Sequence, residues 1–512
     1  MENLIILFVI VPLGSAFLIP IIGKFVPHFQ KALSLLALLF LCFLILNYLF
    51  SGSTHSIVYK LAGWEAVENV PIGIYLVLDG LSAFLLLIIN SIGFLVVIYA
   101  FSYMRKYTAE NNFYTLLCLM IAGMNGVVLT GDLFNLYVFL EIAVISSYAL
   151  VAFGIEKNEL EASFKYQVLG GIASLLILLG ISLLYWQTKT LNIADISNVI
   201  SSYSNNKTTL FIQIILISGF GLKGAMIPFH AWLPDAHSSA PSPISSMLSG
   251  VLIKAIGIYA IIRLFFNMFN ITSEIALIIT VIGTLSMVLG VLLAIGQWDL
   301  KRLLAYHSIS QMGYVVIGIG MGMMILANNE DKMVASLAIA GGLFHLVNHA
   351  VFKGLLFLNA GAIEYTIGTR NLKQMGGLAK DMPVTSATSL SASMAISGIP
   401  PFNGFFSKLL IIIAAIQGHY YLLAALAVFV SIITLASFLK FQRHAFFNKI
   451  KYTGSALVKE VPFTMAFSMV VMAVLCLALS LLIFPGIREL ILSPAVEVLM
   501  ETTEYSGKII GL

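Results

Sequence analysis

Lys223, Lys254, Lys353 and Lys408 each interrupt a run of apolar residues, and Glu141 does the same in Val138-Phe139-Leu140-Glu141-Ile142. Placing one such charge at the middle of a bilayer costs about 2.5–3.5 kcal/mol on insertion scales. A single instance has a bland explanation: a side chain that snorkels to the interface, or one that pairs locally to pack helices. Five together point to an ion pathway, because intramembrane ionisable groups mark such routes. Lysine suits the task, since a desolvated ammonium can give up and regain a proton where a guanidinium stays charged.

The stretch Leu343-Phe344-His345-Leu346-Val347-Asn348-His349-Ala350-Val351-Phe352-Lys353 repeats a titratable nitrogen every fourth residue. A helix stacks His345, His349 and Lys353 on one face, where repulsion lets only some of them be protonated at once. That pattern suits a proton relay. Haem or metal ligation by the histidine pair and a hydrogen-bonded structural pair are the competing readings. The first is disfavoured because no second histidine-bearing helix supplies obvious partners and the Lys353 cation would oppose a metal. No metal and no cofactor are therefore assigned to this chain. His307, in Tyr306-His307-Ser308, lies near the start of its helix and is more ambiguous.

Two of the apolar runs carry breaks, one at Gly219 to Pro228 and one at Gly398-Ile399-Pro400-Pro401. Proline frees helical carbonyls and glycine lets the backbone open, and irregular backbone at membrane depth survives only where it is buried or lines a water-filled cavity. Each break has a lysine within a few residues, Lys223 in one case and Lys408 in the other. Paired interrupted helices in corresponding halves of a chain are a sequence signature of transporter sites, whereas an ordinary proline kink would need no lysine beside it.

The elements that must position these residues follow from composition. Of 512 residues, 60% are hydrophobic and 10% charged, and the mean hydropathy is +1.01, against about 25% charged residues in soluble domains. Apolar runs fall at roughly 3–22, 31–50, 78–101, 113–130, 133–154, 168–186, 209–228, 243–266, 275–296, 303–326, 334–360, 385–416, 420–440 and 464–484. Their lengths fit helical spans and they lack the alternation of barrel strands, so the expected fold is an all-α polytopic membrane protein of about 14 transmembrane helices. Met1-Glu2-Asn3 and the apolar residues behind it read as the first of these helices, since no positive n-region precedes them.

Spans four to eight and nine to thirteen make two units of five helices. The second unit must therefore begin from the opposite side of the membrane, an inverted repeat containing broken helices. The expected organisation is three N-terminal helices in residues 1–110, a first five-helix repeat in 111–270, a second in 271–445, and a C-terminal helix and tail in 446–512. Lys24, Arg105, Lys106, Lys157, Lys301, Arg302, Arg370, Lys440, Arg443 and Lys451 gather on one side of alternating loops, while Lys60, Lys207, Arg263, Lys332 and Lys508 are among the fewer on the other. The positive-inside rule makes the first side cytoplasmic and both termini external, in a multi-pass protein of the cell membrane. Cys42, Cys118 and Cys476 lie far apart with no CxxC spacing, and the chain holds no P-loop or dinucleotide fingerprint, so redox or ATPase chemistry in this chain alone is not expected.

The segments Gly221-Leu222-Lys223-Gly224-Ala225-Met226-Ile227-Pro228-Phe229-His230-Ala231-Trp232-Leu233-Pro234-Asp235-Ala236-His237 and Lys301-Arg302-Leu303-Leu304-Ala305-Tyr306-His307-Ser308-Ile309-Ser310-Gln311-Met312-Gly313-Tyr314 resemble the antiporter-like membrane subunits of respiratory complex I, Mrp sodium/proton antiporters and membrane-bound hydrogenases. The resemblance runs from about Asp79 to Lys440. It implies a fourteen-helix fold with a hydrophilic axis along the midplane, Glu141 paired with Lys223, Lys254 and the His345/His349 row as connectors, and Lys408 as the terminal lysine. Ser249 stands where some members have histidine. Lysine at 408, where one complex I subunit type has glutamate, favours the Mrp-D-like branch. The chain ends soon after the fourteenth span, so the long lateral helix of the largest members is not expected.

The function expected is a proton-translocating antiporter-like membrane subunit of a redox-driven pump of the hydrogenase or complex I kind. A subunit of a multisubunit sodium/proton antiporter and a non-conducting scaffold are the alternatives. The partners expected are other membrane subunits, the bilayer, and H+ or Na+ as cargo, with no nucleic acid. In the route envisaged, Lys223 loses its proton when Glu141 moves away, and the proton passes through Lys254, His345 and His349 to Lys408.

Overall fold

The computed structural model describes residues 2–51, 56–64, 71, 73–201, 207–449, 458–501, 507 and 509. Two helices, α1 (Leu7–Ile22) and α2 (Phe29–Phe50), lead into an antiparallel hairpin of β1 (Ile57–Lys60) and β2 (Tyr75–Leu78), in which Ile57 faces Leu78. The helices α3 (Gly80–Tyr103), α4 (Glu110–Leu129), α5 (Leu133–Val151) and α6 (Lys157–Thr188) follow, then a short helix α7 (Ile193–Ser201) and α8 (Lys207–Lys223). After α9 (Trp232–Ser239), α10 (Ser242–Met247) continues through two π-helical stretches, Leu248–Leu252 and Lys254–Ile258, into α11 (Tyr259–Asn267). The remainder comprises α12 (Ser273–Ile295), α13 (Leu300–Ala327), α14 (Lys332–Ile367), α15 (Leu378–Asp381), α16 (Pro383–Ser397), α17 (Asn403–Gln417), α18 (Tyr421–Gln442), α19 (Phe463–Ala478), α20 (Pro485–Ile491) and α21 (Ser493–Met500).

Among the described residues, 11 helices are long and apolar enough to cross a bilayer. The expected spans missing from that set are the short or interrupted ones: α1 has 16 residues, α8 has 17, and the 385–416 run is split into α16 and α17 of 15 residues each. Aspartates start several helices. Asp132 accepts from the Asn135 amide at α5, Asp299 from the Arg302 amide at α13, and Asp79 trades bonds with Ser82 at α3, each satisfying an amide left open by the first turn.

Polarity is inside out. Phe43 on α2, Leu175 on α6, Ile432 on α18 and Val474 on α19 are exposed, while the α10–α11 rod is buried along its whole length and holds Lys254 and Arg263. That distribution fits a protein whose solvent is lipid, where apolar groups gain nothing by turning inward and polar groups do.

Two expectations need correcting. Gly219 does not break a helix: α8 runs on to Lys223, and a Cβ at Gly219 would lie 2.7 Å from the Ile177 side chain, so this glycine serves close packing on α6. Arg263 and Lys301 are not loop charges. Arg263 is buried in a bidentate pair with Asp79, and Lys301 is buried 2.9 Å from Glu364. The polar stretch between α2 and α3 contains the hairpin. Lys451 and Lys508, used in the orientation argument, lie outside the described residues.

Candidate functional site

Glu141 on α5, Ser174 on α6 and Lys223 on α8 meet where these three helices pack. The Lys223 ammonium donates to the Ser174 hydroxyl at 2.8 Å and lies 3.5 Å from Glu141 Oε1, while the same hydroxyl donates to Glu141 Oε1 through a short bond. The lysine side chain is 1% exposed and the glutamate 24%, so one partner is sealed in the bundle and the other reaches its flank. Lys223 occupies the last turn of α8, where open carbonyls favour a cation. One of those carbonyls, Leu222 O, accepts from the Trp232 indole at 2.9 Å, and the indole stacks on Tyr166 with ring centroids 4.1 Å apart.

The end of α8 abuts the π-helical stretch that carries Lys254. A Cβ at Gly257 would sit 2.6 Å from the Gly224 backbone, so only glycine lets the two segments touch. Lys254 is wholly buried and its ammonium donates to Ser249 O at 2.6 Å, in a stretch whose wider turns leave carbonyl positions irregular. Ser249 and Ser308 hydroxyls lie 2.7 Å apart.

On α14 the spacing of four does align His345, His349 and Lys353, all wholly buried. Lys353 donates to Leu304 O and lies within electrostatic reach of Lys254. His349 feels Lys254 and Lys353, and neither of its ring nitrogens has a protein partner. His345 bonds Ser407 Oγ at 3.0 Å and Gln311 Oε1 at 3.2 Å, and its main charged neighbour is Lys408. The two histidines thus stand in the reverse of the order envisaged from the sequence: His349 is on the Lys254 side and His345 on the Lys408 side. Among the described residues no three His, Cys, Asp or Glu side chains converge as metal ligands would.

Gly398, Pro400 and Pro401 lie between α16 and α17, and Pro228 lies between α8 and α9. The Lys408 ammonium reaches back to Ile396 O at 2.8 Å, in the last turn of α16, and lies 4.8 Å from the Tyr314 ring. Here an ammonium sits at the carbonyl end of a helix that stops inside the bundle, whereas the Lys223 ammonium, though its residue is in the last turn of α8, turns to Ser174 and Glu141. His307 stands apart, bonded to Ser437 Oγ at 2.8 Å, within reach of Lys353, Lys408 and the partly exposed Lys440.

The residues that complete this line were not singled out from the sequence: Ser174, Ser407, Gln311, Tyr314 and His237. Hydroxyls and amides are common in helices, and only proximity makes these few special. His237 carried a signal of its own, being a histidine inside the quoted Trp232-to-His237 segment.

The site and the helical bundle together define a polytopic membrane protein with an internal line of ionisable groups. Residues 130–434, more than half of the chain, match the family described as NADH:quinone oxidoreductase/Mrp antiporter, TM, and residues 64–114 match NADH-Ubiquinone oxidoreductase (complex I), chain 5 N-terminus. The chain belongs to this family of antiporter-like membrane subunits. It is 35% identical to the Na(+)/H(+) antiporter D subunit of Alkalihalophilus pseudofirmus over 88% of this chain and 89% of that protein. It is 32% identical to the NADH-quinone oxidoreductase N subunit of Desulforudis audaxviator over 79% and 78%. A chain of the Mrp complex from Dietzia sp. DQ12-45-1b superimposes with a TM-score of 0.89 at 28% identity, covering 100% of this chain and 99% of that one. A chain of an archaeal membrane-bound sulfane sulfur reductase does so with a TM-score of 0.86, also at 28% identity, covering 99% and 100%.

Proposed function

We propose that this chain is a proton-translocating subunit of a multisubunit, redox-driven ion pump. The observation that carries this reading is the succession of titratable groups inside the bundle: the half-buried Glu141 paired with the buried Lys223, and, past the contact of Gly224 with Gly257, the buried Lys254, Lys353, His349, His345 and Lys408. Buried polar atoms without a protein partner recur along it, at His349, Asn348, Gln311 and Asn403, and such atoms in a polar interior are satisfied by water. A proton on Lys223 is held while Glu141 is near. When that attraction weakens, the ammonium releases its proton to water leading to Lys254, and the histidines pass it toward Lys408. Moving one charge against 100 mV costs about 2.3 kcal/mol, which a partner-driven change in the Glu141–Lys223 contact is of the right size to supply.

The identity with the Na(+)/H(+) antiporter D subunit favours a second reading, a sodium/proton antiporter assembly using the same line. The proteins that purify with the chain separate the two. The reading takes in the finer architecture as well: fourteen spans, formed by the 11 long helices with α1, α8 and the α16–α17 pair; inverted repeats over 111–270 and 271–445 flanked by 1–110 and 446–512; and both termini external. Its test is Glu141→Gln, which keeps the shape and removes the charge. Translocation in vesicles should stop while the protein remains assembled in the membrane, and normal transport by this variant would refute the proposal.

A further inference from the structure

We propose that the cleft between the ends of α6, α9, α13 and α14 is the mouth through which protons reach the buried line from the face rich in lysine and arginine, with the Glu364–Lys301 pair at its floor and His237 as the first inward acceptor. This rests on the translocation reading above. The cleft encloses about 380 Å³, room for several waters at ~30 Å³ each. Glu156, Ser239, Asp299 and Arg370 are among its walls.

At the floor, the Lys301 ammonium lies 2.9 Å from Glu364 Oε2 and donates to Ala240 O at 3.1 Å. The two side chains are 2% and 25% exposed, so the carboxylate looks into the cleft and the amine looks inward. One turn of α9 before Ala240 is His237. Its ring is wholly buried, packs 5.0 Å from Phe357, and has no protein partner at either nitrogen. It lies within electrostatic reach of Lys353, Lys254 and Lys301. The Ser246 hydroxyl, one residue after the Ser245 that donates to His237 O at 2.9 Å, is also buried without a partner. A purely structural histidine at such depth would be hydrogen-bonded to its surroundings. One with both nitrogens open can take a proton at one and release another from the other.

The step balances without any other reactant. Glu364 takes a proton from cleft water, which weakens its hold on Lys301. The proton passes through water to one nitrogen of His237, the other nitrogen gives its proton toward a neutral amine at Lys353 or Lys254, and the carboxylate pairs again with Lys301.

The test uses the assembled complex in vesicles that present the lysine- and arginine-rich face outward. Ser239→Cys places a thiol in the cleft wall, and a membrane-impermeant anionic thiosulfonate is added. The variant should translocate normally before treatment and fall to background after it, with wild-type vesicles unaffected by the reagent. His237→Gln should lower the rate by about a hundredfold, as loss of a proton-transferring group does. If Ser239→Cys carries the reagent by mass and still translocates at the normal rate, while Glu141→Gln is inactive, the mouth is overturned and the translocation reading stands. If untreated wild type moves no protons, both fall.

Discussion

Ser174 holds the first charge pair at its working distance. Its hydroxyl binds the Lys223 ammonium and the Glu141 carboxylate at once, and the two charges are themselves 3.5 Å apart. Ser174→Ala should leave the protein assembled but slow translocation by about tenfold, equivalent to ~1.4 kcal/mol, which is within the range of one charge-assisted hydrogen bond. An unchanged rate in vesicles would remove the serine from the mechanism. At the far end, Lys408 needs to lose and regain a proton in each cycle. Lys408→Arg keeps the positive charge beside Ile396 O but fixes it, because a guanidinium stays protonated. The variant should assemble and translocate poorly, and Lys408→Ala should fail too for lack of a carrier; full activity of the arginine variant would mean the lysine supplies only charge. The lysines and Glu141 were legible in the sequence because an ionisable group in an apolar run is costly and therefore conspicuous. Ser174 and Ser407 were not, since a serine in a helix costs little and acquires its role only from a neighbour on another helix.

At the scale of elements, the interrupted helices need two devices: satisfied ends and close backbones. The Trp232 indole donates to Leu222 O, which also accepts from the Ala225 amide at 3.1 Å, so Trp232→Phe removes one of two bonds to a buried carbonyl and should destabilise the protein by about 0.5–1.5 kcal/mol, read as a lowered melting midpoint in detergent. Outside the membrane-spanning helices, Asp235 ties α9 to α6 and α13 through Lys165 at 3.1 Å and Arg302 at 2.6 Å. Burial works to raise its carboxyl, but the bonds from Arg302 and Lys165 outweigh it and hold the group below the ordinary carboxylate range. A depressed folded-state value contributes stability above the unfolded value of about 4, and that contribution fades as pH falls through the folded one. Asp235→Asn should therefore cost up to ~1 kcal/mol at neutral pH, and its melting curve should converge on that of the wild type in acid. Proline and glycine clusters drew attention to both interruptions, though the first begins only after Lys223. Glycine alone was ambiguous, because the same residue opens a helix in one setting and lets two helices touch in another, as Gly219 and Gly257 do.

Across the whole molecule, the polytopic all-α character was legible because bilayer thickness fixes helix length, whereas the hairpin and the way the N-terminal helices join the rest were not, since long-range pairing leaves no local pattern. That joining is concrete at Asp79, which begins α3, and Arg263 on α11. The guanidinium donates two bonds to the carboxylate, at 2.7 and 2.9 Å, and a third to Tyr259, whose hydroxyl donates to Val128 O. Both charged side chains are nearly sealed, at 1% and 3% exposed. The pair therefore links the first three helices to the unit that carries Lys254, and its two halves should not be separable. Arg263→Met leaves a buried carboxylate without its counter-ion and should cost about 3–5 kcal/mol, enough to lower the yield of folded protein sharply. Asp79→Asn strands the guanidinium at similar cost, although asparagine still caps α3. Combining the two removes both charges and keeps the cap, so the double variant should recover most of the lost melting temperature, because a buried ion pair contributes little net stability once neither charge is left alone. A double variant no more stable than Arg263→Met would mean that the guanidinium stabilises the protein through its bonds to Tyr259 and Asn267 on its own helix and not through Asp79.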